Sequence, residues 1–204
     1  MKKLLITSSI LVLIACSKKE KQDEESGGLS NLVTNAKNYS KISGSINDVS
    51  KNIETLKKMT PLSNDELKAV LPEQLLGLKR SEFSVGDASM MNLVSAEAKY
   101  KDENNKRIDL QIMDGAGETG SGMVSIMMMG LNVTKEKVTE TGFEKSEVIN
   151  GMKAIISENK NGENIDSEIQ LIAKDRYLLT LKGDGITLDE LKKALAEFNI
   201  SQLK

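Results

Sequence analysis

Residues 142–184 read GFEKSEVINGMKAIISENKNGENIDSEIQLIAKDRYLLTLKGD, and this stretch decides the fold. Two Asn-Gly pairs, Asn150-Gly151 and Asn161-Gly162, each lie between runs of β type. Asn-Gly suits a type I′ hairpin turn, in which both central residues take positive φ. Lys174-Asp175 is the remaining tight turn. The runs between them, about 142–149, 152–158, 165–173 and 176–182, form a four-stranded antiparallel meander.

Working outward toward the N-terminus, Val94, Ala96, Ala98 and Tyr100 alternate with polar residues, and Asp102–Asn105 turn the chain. Ile108, Leu110 and Ile112 then alternate with Arg107, Asp109 and Gln111. Period two with one apolar side predicts a second hairpin with one buried face. Between hairpin and meander lies a Gly-rich connection, Gly115–Gly120, and a Met-rich helix bearing Met123, Met127, Met128 and Met129. Toward the C-terminus, Thr187-Leu188-Asp189-Glu190 is a capping box, and Leu188, Leu191, Leu195 and Phe198 share one helical face. Ser63-Asn64-Asp65-Glu66 is a second capping box, opening a short helix that Pro72 stops. The body, 61–204, therefore reads as α+β, an antiparallel sheet of about six to seven strands packed with helices.

Ahead of the body, Leu32, Tyr39, Ile42, Ile46, Val49, Ile53 and Leu56 recur at heptad spacing and Pro61 closes the pattern. This predicts a long N-terminal amphipathic helix over 29–60. Its Ser, Asn and Lys surface, with Gly44, makes it a weak helix alone, so it needs something to pack against. Ile42, Ile46, Val49 and Ile53 either associate with another chain, as in a coiled coil, or lie on the body of their own domain. Residues 17–28, SKKEKQDEESGG, carry no apolar side chain and read as a flexible linker.

The first residues read MKKLLITSSILVLIAC. Lys2 and Lys3 precede a short apolar run, too short for a membrane-spanning helix, which needs about 20 apolar residues. The pattern fits a secretory signal peptide over 1–15. Leu13-Ile14-Ala15-Cys16 resembles the lipobox of bacterial lipoproteins, which implies cleavage before Cys16 and acylation of its thiol. The resemblance implies a lipidated linker over 16–28 and a mature net charge of −4, from 26 basic and 30 acidic residues. Two or more acyl chains anchor stably where one is marginal. Ser17 after the cysteine implies, by the sorting rule of enteric lipoproteins, the outer membrane, with the body periplasmic or surface exposed. Lys18–Glu25 loosely resembles the export signals of surface lipoproteins in the Bacteroidetes. The order of elements resembles PsbP-like α+β modules. The run Leu71-Pro72 to Arg80, with Asn150-Gly151 and Arg176-Tyr177, is similar to envelope lipoproteins of the Bacteroidetes. These resemblances imply fold and location only.

Composition narrows the chemistry. The 204 residues contain no His, no Trp and one Cys, with 28 Lys+Arg against 30 Asp+Glu. Without His there is no Ser-His-Asp triad and no His-ligated zinc. One Cys gives neither an internal disulfide nor a thiolate cage. A net charge of −2 offers no footprint for nucleic acid. Gly115-Ala116-Gly117-Glu118-Thr119-Gly120 is a literal G-x-G-x-x-G, but the preceding strand alternates where a dinucleotide-fold strand is apolar throughout. It reads as a flexible strand-to-helix connection. Asp114 and Glu118 supply too few ligands for calcium. The methionines could select Cu(I), yet no His or Cys supports a metal, and Met is the adaptable filler of cores and binding surfaces. The acidic residues lie mostly on polar faces or beside Lys.

The expectation is a non-enzymatic, lipid-anchored envelope protein, with no catalytic residue, metal or cofactor. Its interaction surface would involve the heptad residues and Met123 with Met127 on the Met-rich helix. The other reading is a carrier of a lipid or apolar small molecule, held between the sheet and that helix.

Overall fold

The computed structural model describes residues 49–88 and 93–204. The Cys16, Ile42 and Ile46 expectations lie outside them. A helix covers 49–58, here α1, followed by α2 (Asn64–Val70), α3 (Gly117–Leu131) and α4 (Leu188–Glu197). The strands are β1 (Gln74–Leu75), β2 (Leu78–Ala88), β3 (Leu93–Lys101), β4 (Arg107–Asp114), β5 (Glu136–Val138), β6 (Gly142–Ile149), β7 (Met152–Asn161), β8 (Asn164–Ala173) and β9 (Tyr177–Asp184). A 3-10 turn, Ile200–Gln202, follows α4.

All nine strands join one antiparallel sheet in the order β1-β2-β3-β4-β9-β8-β7-β6-β5. The periodicity predicts six or seven. The additional strands lie toward the two edges, where alternation fades because little of either face is covered. In β2 only Phe83 and Val85 interrupt the polar run from Lys79 to Gly86, and Phe83 is itself exposed. All three β5 residues are exposed.

The turns explain the register. Ile149 pairs with Met152, leaving Asn150 (φ +51°) and Gly151 (φ +80°) in the positive-φ positions of a type I′ turn. Asn161 instead pairs with Asn164. Gly162 (φ +64°) therefore occupies the first central position, as in a type II′ turn, which corrects the type I′ expectation there. Lys174 and Asp175 both adopt positive φ between the paired Ala173 and Tyr177. In the β3–β4 turn, Asp102 Oδ1 accepts from the N–H groups of Asn104 and Lys106 at 2.8 and 2.9 Å.

Period two sends alternate residues to opposite faces. On one face Ala98, Tyr100, Ile108, Leu110, Ile156, Ile169, Leu171, Leu179 and Leu181 are fully buried under Leu67 of α2 and Leu191, Ala194 and Leu195 of α4. Both capping boxes form, with Ser63 and Thr187 accepting from the Glu66 and Glu190 N–H groups. On the other face a smaller cluster joins Ile172 and Leu178 of the sheet to Leu56 of α1 and Val124 and Leu131 of α3. Tyr177–Leu181 is buried without interruption, the polar Thr180 included, because both faces of the sheet are covered around Leu178.

Candidate functional site

The covalent route from β4 into α3 builds the part of the molecule with the strongest chemical character. Asp114, at the end of β4, is fully buried. Its Oδ1 accepts from Arg176 Nε (2.7 Å) and the Ala116 N–H (2.9 Å). Its Oδ2 accepts from Arg176 Nη2 (2.7 Å) and the Leu62 N–H (2.8 Å). Arg176 Nη2 also donates to the Thr60 carbonyl at 3.1 Å, and the guanidinium stacks 4.8 Å over the Tyr177 ring. Hydrogen bonding to Asp114 pushes Arg176 further above its ordinary range. The fork-to-carboxylate geometry is the strongest type of ion pair, and every lone pair of Asp114 is occupied. This group ties the α1–α2 connection to β4 and β9. It is structural, and it leaves Asp114 no capacity for a cation. Glu118, its supposed calcium partner, pairs with Lys57 at 2.9 Å.

The Gly-rich connection is not the flexible joint its composition suggests. A Cβ on Gly115 would lie 2.4 Å from the Arg176 carbonyl oxygen and 2.6 Å from Val124 Cγ2. One on Gly120 would lie 2.5 Å from the Asp114 carbonyl oxygen. Gly117 takes φ +83°. Glycine is required because α3 passes directly over the strand end that precedes it.

That crossing decides which side of α3 is left free. Gly120, Ser121, Val124, Ser125 and Leu131 face the sheet, and Ser125 Oγ donates back to the Ser121 carbonyl. Met127 and Met128 are half-buried beside the second cluster. Met123, Ile126 and Met129 point outward at 41%, 70% and 54% exposure, with Val133 just past the helix at 64%. Of the residues expected on an interaction surface, Met123 is exposed on the outer side of α3, while Met127 turns inward. Val49 is buried and Ile53 half-buried, and Leu56 of the same stripe belongs to the second cluster, so this end of the heptad stripe lies on its own body. Spacing groups Ile126 with Met123 and Met127 and does not single out Met129, because apolar side chains occur on both the inner and the outer side of α3. The small residues Gly120, Ser121 and Ser125 are the signal that marks its sheet-facing side.

Beside α3 runs an open groove of about 960 Å³, lined by Val49, Met128, Leu131, Met152 and Ile172 and by polar residues that include Lys51, Lys153, Lys174 and Asp175. Asn52 Nδ2 crosses one end, donating to the Asp175 carbonyl at 2.8 Å and approaching Met128 Sδ at 3.3 Å. Among the described residues no group of three or more His, Cys, Asp or Glu is placed to hold a metal ion, and no helix is long and apolar enough to cross a membrane. No family model, curated protein or solved structure matches the chain.

Proposed function

We propose that this chain is a lipid-anchored envelope protein, held at the outer membrane through acylated Cys16, whose α+β body is a non-enzymatic interaction module. The outward face of α3 is its docking surface. The observation that carries this is the exposure of Met123, Ile126, Met129 and Val133 in one strip. From residue 119 to 134 the chain has no charged side chain at all. A helix that is apolar on both its inner and outer faces is normally covered on both, and a contiguous exposed apolar strip marks an interaction site. The test replaces Ile126 and Met129 with Asp and follows the protein by native electrophoresis of gently solubilised membranes. The unmodified chain migrates within a larger assembly and the variant migrates as a monomer with unchanged melting. Equal migration of the two removes α3 from the proposal. Cys16→Ser should move the chain out of the membrane fraction.

The second reading is carriage of a lipid or apolar small molecule, which the groove of about 960 Å³ favours by its size and by Met128, Leu131 and Ile172 along it. It predicts a co-purifying ligand in native mass spectra that Met128→Lys removes. An empty spectrum for the unmodified chain counts against it.

A further inference from the structure

Three lysines line the groove beside α3: Lys51 of α1, Lys153 of β7 and Lys174 in the turn between β8 and β9. One carboxylate, Asp175, lines it with them. The chain as a whole carries a net charge of −2, so this is a locally positive place on an acidic molecule. Among the described residues most other lysines form ion pairs, as Lys57 does with Glu118 and Lys192 with Glu147, and none of these three does. Lys174 is turned toward the C-terminal segment, its Nζ donating to the carbonyls of Ser201 and Leu203. Lys153 Nζ donates to Asn132 Oδ1 at 2.5 Å, which engages one of its three donors.

The rest of the lining is largely apolar. Val49, Leu131 and Ile172 are buried, and Met128 and Met152 are half-buried. Methionine adapts its shape to what packs on it. A ligand that uses both features of the groove has an apolar tail and a negative head.

On this basis we infer that the groove takes a fatty acid, with the acyl chain along Met128, Leu131 and Ile172 and the carboxylate on Lys51 and Lys153. The inference rests on the reading of the groove as a carrier site and names the class of cargo. Charge selects the head group. A phosphate monoester carries about −1.5 to −2 and three acceptor oxygens. Two ammonium point charges on separate elements match the single charge and two oxygens of a carboxylate better. A neutral lipid gains nothing from the lysines. Lys153 also has a structural use, since Asn132 caps the end of α3 and a cation there meets the negative end of the helix. That use affects melting and gives no preference for a charged ligand, so the two roles separate by experiment.

Equilibrium dialysis of the full chain carrying Cys16→Ser, which excludes acylation at that position, compares three probes of equal chain length below their micellar concentrations: decanoate, decanol and decyl phosphate. Decanoate should bind about tenfold or more tighter than decanol, the factor that a hydrogen bond to a charged group supplies. It should also bind tighter than decyl phosphate. Lys51→Met with Lys153→Met should lower the affinity for decanoate to that for decanol and leave decanol unchanged. Raised salt should weaken decanoate alone. Met128→Asp should remove both ligands. Decanol bound as tightly as decanoate, and lost in Met128→Asp, overturns the fatty acid while carriage of a neutral lipid stands. Decyl phosphate bound tightest overturns the carboxylate. Decanoate affinity that survives the double-lysine substitution also overturns the proposal, and a lowered melting temperature in that variant would mean that the lysines serve the end of α3. No binding of any probe, or binding that Met128→Asp leaves intact, removes the carrier reading as well.

Discussion

Asp114 is the residue on which the arrangement around α3 turns. It has no exposure, and its four acceptor contacts hold β4, β9, the start of α3 and the α1–α2 connection in one place. Removing one member of a buried pair leaves the other charge desolvated and alone, at a cost of about 3–5 kcal/mol. Asp114→Ala should therefore lower the urea-unfolding free energy by that order, and exchange of amides in α3 should accelerate first. A loss below about 1 kcal/mol would mean that the pair is not buried as described. Glu190 makes a second residue-scale prediction. Hydrogen bonds from the Thr187 N–H and hydroxyl, and then from Lys106, hold its carboxyl near 2 instead of 4.5. A depressed folded-state value stabilises above pH 4.5 and is lost as pH falls toward 2. The gap in melting temperature between the chain and Glu190→Gln should be full at pH 6 and close between pH 4.5 and 2. A gap that stays constant across that window would show that the carboxylate charge is not what the cap uses. Tyr100 and Tyr177, pushed up to about 12 by burial, should keep two of the chain's three phenols silent in absorbance until alkaline unfolding begins.

Among elements, those whose local pattern and tertiary burial agree were legible. The β3–β4 hairpin and the β6–β9 meander follow period two because one face of each is covered by α2 or α4, and α2 and α4 start at their capping boxes. β1, β2 and β5 escaped because β1 has two residues, and β5 and the part of β2 beyond Leu78 are largely exposed on both faces and need no apolar alternation. The inner side of α3 escaped for another reason, since it is marked by small residues, Gly120, Ser121 and Ser125, while large apolar side chains lie outward. Its glycines divide by tertiary context in a way spacing alone cannot show. Gly120→Ala drives a methyl against the Asp114 carbonyl and should cost about 1–3 kcal/mol. Gly122→Ala, two residues away in the same helix, meets open space and should stabilise the monomer by up to about 1 kcal/mol. Thermal melts of the two variants at low concentration check the pair. Equal effects would contradict the placement of α3 over the end of β4.

For the whole molecule, the nine-stranded sheet gives a rigid support whose one face is closed by α2 and α4 and whose other face carries α1 and α3 over part of its width. Among the described residues the remainder of that second face is mostly polar, Gln111 and Glu168 included, with Val148 exposed toward one edge. The outward side of α3 is where such a body can hold a partner, and a tether at Cys16 would present it from a membrane. The most direct measurement places a photo-activated cross-linking side chain at position 126 in living cells, with position 111 on the open sheet face as the reference. The account predicts a discrete adduct at 126 and none at 111. No adduct at 126, or equal adducts at both positions, would contradict it.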